Sequence, residues 1–190
     1  MSLKNFIDEY LYNTQLIASM ISQNEIYHAV KILQNLYKCR GRLFILGVGG
    51  SAANASHAVN DFRKIGGIEA YAPTDNVSEL TARTNDEGWY STFVEWLKTS
   101  HLSNQDVIIV LSVGGGNNHT SSNIIHALDY AKEKGAKIIG IVSRNGGYTK
   151  QLADSCILIP IVDEKTITPH AEGWQGVIWH LMVNALKETQ

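Results

Sequence analysis

His57 and Asp61 stand four residues apart, and Glu172 and His180 stand eight apart. Both pairs fall in stretches of helical period, where such spacings project two side chains from roughly one side. An imidazole and a carboxylate from each of two helices compose a four-ligand nitrogen and oxygen set. That set suits zinc, or less selectively another divalent cation. The same spacing serves equally well for a hydrogen-bonded or solvated pair, because His-x-x-x-Asp is common by chance.

Two loops offer a second kind of chemistry. The first is Gly47-Val48-Gly49-Gly50-Ser51-Ala52-Ala53-Asn54, and the second runs from Ser112-Val113-Gly114-Gly115-Gly116 to Thr120-Ser121. Glycines let the backbone approach a ligand closely, and the helix start that follows presents unpaired amides and a positive dipole end to an anion. Gly50, Ser51 and Asn54 in the first loop, and Ser112, Gly114, Gly115, Thr120 and Ser121 in the second, are the candidate phosphate contacts. Ser121 or Thr120 also reads as a plain helix N-cap. Asp86 is a candidate for holding sugar hydroxyls, and Asn85-Asp86 reads equally as turn chemistry.

Other phosphate motifs fit less well. Gly47, Gly49 and Ala52 satisfy G-x-G-x-x-A, but a dinucleotide site needs an acidic residue at the end of the second strand, and Glu69 falls near its beginning. No Gly-Lys-Ser/Thr follows the first loop, so it is not a nucleotide-triphosphate loop.

The elements that must position these groups follow from periodicity. Leu3, Phe6, Ile7, Tyr10, Leu11, Leu16, Ile17 and Met20 mark one leading helix, and Ile26, Val30, Leu33 and Leu36 a second, with a break near Ser22. So much apolar surface ahead of the first strand predicts packing partly against another copy of the chain. Five short apolar runs follow: Arg42 to Val48, Ile68 to Ala72, Asp106 to Val113, Ala136 to Val142 and Ser155 to Ile161. Helical stretches separate them at Ala52 to Lys64, Asn76 to Thr84, Trp89 to Thr99, Ser121 to Lys134 and Gly147 to Asp154. The last element, from about His170 to Glu188, is helical too. Such alternation predicts a parallel sheet covered on both faces, within one domain over residues 1–190. Trp174 and Trp179 read as core or interface aromatics.

Composition narrows the function classes. The chain has 190 residues, 44% hydrophobic and 18% charged, with a formal net charge of −2. Those values suit a folded domain and give no electrostatic reason to bind nucleic acid or an anionic membrane. Cys39 and Cys156 are far apart and read as reduced, buried thiols. No stretch reaches membrane-span length, and the first residues lack the pattern of a signal peptide, which makes the cytoplasm the expected compartment.

The two loops, with Ala55-Ser56-His57, Thr84-Asn85-Asp86-Glu87-Gly88, Asn145-Gly146-Gly147 and the final helix carrying Glu172 and His180, resemble the sugar isomerase (SIS) domain family. The chain as a whole looks like the phosphoheptose isomerases. That resemblance implies a three-layer α/β/α sandwich around a five-stranded parallel sheet, of flavodoxin-like type, preceded by two N-terminal helices within residues 1–40 that join an oligomer interface. It implies a homotetramer with active sites between subunits. It implies isomerisation of sedoheptulose 7-phosphate to D-glycero-D-manno-heptose 7-phosphate, with a divalent metal, Zn2+ by preference. On the family pattern Asp61 is the base and His180 the acid, Glu172 shares either role, and His57, Asp61, Glu172 and His180 hold the metal.

Three departures stand out. The family's second loop reads Ser-Thr-Ser-Gly-Asn-Ser, and this one lacks two of those hydroxyls. The family's helical glutamate is the shorter Asp61, and its glutamine in the last helix is Glu172, with Gln175 nearby. The competing reading is a non-catalytic SIS protein that binds a phosphosugar or acts as an adaptor.

Overall fold

Serine opens both leading helices. In the computed structural model, which describes residues 1–189, the Ser2 hydroxyl accepts the Asn5 amide at the start of α1 (Leu3–Met20). The Ser22 hydroxyl accepts the Glu25 amide at the start of α2 (Gln23–Cys39). Each bond satisfies an amide that a helix start leaves unpaired. Strands and helices then alternate: β1 (Arg42–Gly47), α3 (Gly50–Lys64), β2 (Glu69–Tyr71), a 3-10 turn (Pro73–Asp75), α4 (Val77–Asp86) and α5 (Ser91–Thr99). They continue through β3 (Val107–Ser112), α6 (Ser122–Lys134), β4 (Lys137–Val142), α7 (Gly147–Leu152), β5 (Ser155–Leu158) and α8 (Ile167–Glu188).

All five strands are parallel, in the order β2-β1-β3-β4-β5. Alternate residues of each strand serve opposite faces. Leu43 and Ile45 pack with α2, α3 and α8, whereas Phe44 and Leu46 pack with α5 and α6. The result is the α/β/α sandwich expected from the alternation.

The deviations from expectation are local. β5 stops at Leu158, because Pro160 has no amide to continue the ladder. α8 begins at Ile167, three residues ahead of the expected start at His170. α4 runs on through Asn85 and Asp86, which removes the turn expected there. The two thiols are free as expected but not buried: Cys39 is exposed at the end of α2 and Cys156 is partly buried. Burial raises the Cys156 thiol to about 11.

The opposite edge of the sheet from the glycine loops is tied by one ion pair. Arg42 Nη2 donates to Asp106 Oδ2 at 2.8 Å, and that carboxylate also accepts the Arg42 and Ser103 amides. Burial works to raise the Asp106 carboxyl, but these donors outweigh it and hold it below the usual carboxylate range. A carboxylate depressed in the folded state stabilises fully above its unfolded value and loses that contribution as pH falls through the folded one. Asp106→Asn is therefore expected to cost about 3 kcal/mol at pH 7. Urea unfolding at neutral and acidic pH should show the gap from wild type closing as the medium becomes acid.

Candidate active site

Both glycine loops leave the same edge of the sheet. Gly47, the last residue of β1, pairs in register with Leu111, and Ser112 pairs with Val142. Helix α3 then joins the layer with α2 and α8, while α6 joins the layer with α5. The two connections therefore diverge to opposite faces from adjacent strand ends, the topological position at which open α/β sheets bind ligands.

The first loop needs its glycines. A Cβ at Gly47 would lie 2.3 Å from the Ser51 carbonyl oxygen, and Gly49 has φ 65° and ψ −129°, a region closed to side chains. Ser51 is buried in the first turn of α3. The second loop is locked in place from below. The Ser112 hydroxyl accepts the Gly115 amide, and the Gly115 carbonyl accepts both the amide and hydroxyl of Thr149. The Gly116 carbonyl accepts the Tyr148 amide. Asn117 accepts the His119 and Thr120 amides, so the additional residues close on themselves as an exposed turn. Ser121 takes the N-cap position of α6 at φ 60° without a side-chain capping bond.

Helices α3 and α8 lie side by side and run in the same direction, as their successive contacts show. Gly50 faces Glu172, Asn54 donates to the Glu172 carbonyl and to Gln175, and His57 meets Trp179 and His180. One turn further on, Asp61 Oδ2 lies 3.3 Å from His180 Nδ1 and 4.0 Å from His57 Nε2. The other oxygen, Oδ1, accepts Asn60 Nδ2 at 2.8 Å. The Asp61 side chain is only 10% exposed, against 59% and 47% for the two imidazoles. A buried carboxylate thus stands behind two accessible imidazoles. Ligand atoms of His57, Asp61 and His180 all lie within 4.8 Å of one another. Two imidazoles and one carboxylate match the donor set of a catalytic divalent metal site, so these residues fit such an ion.

Glu172 does not join that group. Eight helical residues carry it ~12 Å along α8 and ~80° around it from His180. Its carboxylate lies instead beside Gly50, where a Cβ would meet Oε2 at 2.5 Å. There it faces the positive end of α3, whose N-cap Gly49 has no side chain to offer. Asp86 ends α4, exposed, with Oδ1 accepting Asn85 Nδ2. Thr120 is exposed in the self-closed turn. Gln175 is fully buried, and its Oε1 accepts Asn54 Nδ2. His170 is buried against Tyr10, with ring centroids 4.3 Å apart; burial lowers its imidazole below the ordinary range, and Asp163 opposes that shift. Glu69 opens β2, away from the strand end where a ribose would need it. Two contributors escaped sequence reasoning: Asn60, which holds one oxygen of Asp61, and Trp179, which touches both imidazoles. The i,i+1 position of Asn60 carried no motif, and Trp179 looked like ordinary core.

Fold and site define a parallel α/β protein with glycine loops at the switch point of its sheet and an imidazole–carboxylate group on two flanking helices. Residues 9–143 match the model of the SIS domain. A phosphoheptose isomerase of Syntrophotalea carbinolica is 31% identical over 172 residues, covering 87% of this chain and 82% of that one. Another, from Aneurinibacillus thermoaerophilus, is 32% identical over 165 residues, with 84% and 77% covered. The solved phosphoheptose isomerase of Neisseria gonorrhoeae shares the fold, with TM-score 0.84 at 23% identity over 97% of this chain and 99% of that one. The chain belongs to the SIS domain family. Within that family it falls with the phosphoheptose isomerase enzymes.

The carboxylate beside Gly50 has a direct electrostatic consequence. An anion at the first loop shares the start of α3 with Glu172. Glu172→Gln is expected to tighten binding of inorganic phosphate by ~1 kcal/mol, roughly fivefold, measured by calorimetry at low salt.

Proposed function

We propose that this chain isomerises sedoheptulose 7-phosphate to D-glycero-D-manno-heptose 7-phosphate, or acts on a close sugar phosphate, through an enediolate. The observation that carries this reading is the meeting of Asp61 with His57 and His180 on a fold whose β1 and β3 loops open at one sheet edge. Proton transfer between adjacent carbons needs a base, an acid and stabilisation of negative charge on oxygen. Asp61 is the base that takes the C1 proton, and His180 is the acid that serves the neighbouring carbon, where the proton returns. The C1 hydroxyl proton passes to the C2 oxygen, so the carbonyl moves from C2 to C1 and the composition of the sugar is unchanged. Gly50, Ser51 and Asn54, with Ser112, Gly114, Gly115 and Ser121, hold the phosphate end. Along α3, His57 lies ~9 Å beyond Ser51, which separates the end that anchors from the end that reacts.

His57, Asp61 and His180 would hold the metal, zinc by donor chemistry. When bound, the ion supplies positive charge beside the developing enediolate oxygen. Glu172 stands with the phosphate loop in this scheme.

A homotetramer with sites between subunits accompanies this reading. Its support is α1, which leaves Leu3, Phe6, Ile7, Leu11, Tyr12 and Met20 exposed while burying Ile17, an apolar face that suits contact with another copy. Among the described residues no helix is long and apolar enough to cross a membrane, and a cytoplasmic enzyme fits that.

Two measurements test the proposal. Purified protein assayed against a panel of sugar phosphates should turn over a seven-carbon member and contain a divalent metal by elemental analysis. His57→Ala should lose the metal and reduce kcat by roughly 100-fold. Saturable sugar-phosphate binding without turnover would favour the binding-protein alternative, and full activity in metal-free protein would remove the ion from the scheme. Light scattering should give a tetramer for the wild type and smaller species for the Ile7→Lys, Leu11→Lys double variant.

A further inference from the structure

One side chain that touches the acid–base group has no acid–base chemistry of its own. Trp179 is 1% exposed. Its ring centroid lies 3.6 Å from that of His180, with the planes 33° apart, and 4.7 Å from that of His57, with the planes 67° apart. Consecutive helical residues point about 100° apart. A close ring-on-ring contact between positions 179 and 180 therefore requires the His180 imidazole to fold back across the indole. In that pose its Nδ1 lies 3.3 Å from Asp61 Oδ2. His57 approaches the same oxygen with its ring set against the same indole. One buried plane thus contacts both imidazoles that share one carboxylate oxygen.

Hydrogen bonding does not explain a tryptophan here. The indole Nε1 is buried and has no partner among the described residues, which is a destabilising arrangement. What the residue contributes is its broad flat face, locked into the core by its own burial. The two imidazoles are about half exposed and would otherwise be free to change rotamer. Ring contacts of this kind are favourable, and they hold groups whose relative placement decides whether ligands converge.

We propose that Trp179 is a positioning residue that holds His57 and His180 in register around Asp61 Oδ2. The inference rests on the isomerase reading above and assigns it a residue that bears no ligand atom or transferable proton. Its experiment compares wild type with W179L and W179F, and reads three quantities. The first is the ring-proton NMR shift of His57 and His180 in metal-free protein, where an imidazole over an indole face is shielded. The second is Co2+ affinity by titration, and the third is kcat and KM with the sugar phosphate that the wild type turns over.

Wild-type imidazole signals should lie upfield of ordinary histidine positions and return to them in W179L. In W179L, Co2+ affinity and kcat should each fall about tenfold while KM stays within about threefold, because misplacement affects the reacting group and not the phosphate end. W179F keeps a planar surface and should recover most of both. Ordinary histidine shifts in the wild type overturn the positioning role, and this measurement holds even should W179L fail to fold. Wild-type turnover that both variants leave unchanged overturns it too, with isomerisation left standing. Wild-type protein that neither turns over a sugar phosphate nor binds Co2+ overturns the isomerase reading and the inference together.

Discussion

The pairing of β1 with β3 governs where everything else can be. Because the sheet order is β2-β1-β3-β4-β5, the chain leaves β1 toward one face and β3 toward the other, and two strand ends that are hydrogen-bonded neighbours feed diverging loops. Backbone amides and hydroxyls from sequence positions more than sixty residues apart then lie at neighbouring strand ends. Buried apolar strands hold the arrangement: every residue of β3 is buried, and both layers of helices depend on it.

A second constraint acts along the side of the sheet. Helices α3 and α8 start near the same edge and run together, so their residues meet level by level. The level of Gly50 and Glu172 belongs to the loop, the level of Asn54 and Gln175 ties the helices together, and the next levels carry the imidazoles and Asp61. Burial of the carboxylate behind exposed imidazoles concentrates negative charge where an ion or a migrating proton would be held, and leaves the nitrogens accessible. The first glycine loop and the imidazole–carboxylate group thus lie at different levels of one helix pair.

Two of the three departures from the pattern that the family resemblance implies lie at the glycine-loop edge. The second loop has lost hydroxyls and gained a turn that closes through Asn117, while its carbonyls are engaged by Tyr148 and Thr149. Beside the first loop a carboxylate stands where the family has a neutral amide. Both changes bear on how strongly this edge attracts an anion, whereas the third, the shorter Asp61, falls within the imidazole–carboxylate group itself.

The architecture was legible in the chain because its causes are local and repetitive. Apolar runs such as Val107–Ser112 can be buried only inside a two-sided sheet, and the three- and four-residue spacing of Leu3, Phe6, Ile7 and Tyr10 marks the first leading helix. The same holds for the glycine loops, where Gly49 has a backbone geometry closed to side chains, and for the His57–Asp61 pair, which one helical turn brings together. The position of Glu172 was decided by tertiary structure, since spacing on a helix states a face only approximately and says nothing of the level at which a neighbouring helix is met. The same reason hid Trp179 and Asn60. An aromatic residue and an amide acquire roles here through what folding sets beside them, and that follows from the parallel docking of α8 on α3 rather than from any pattern along the chain.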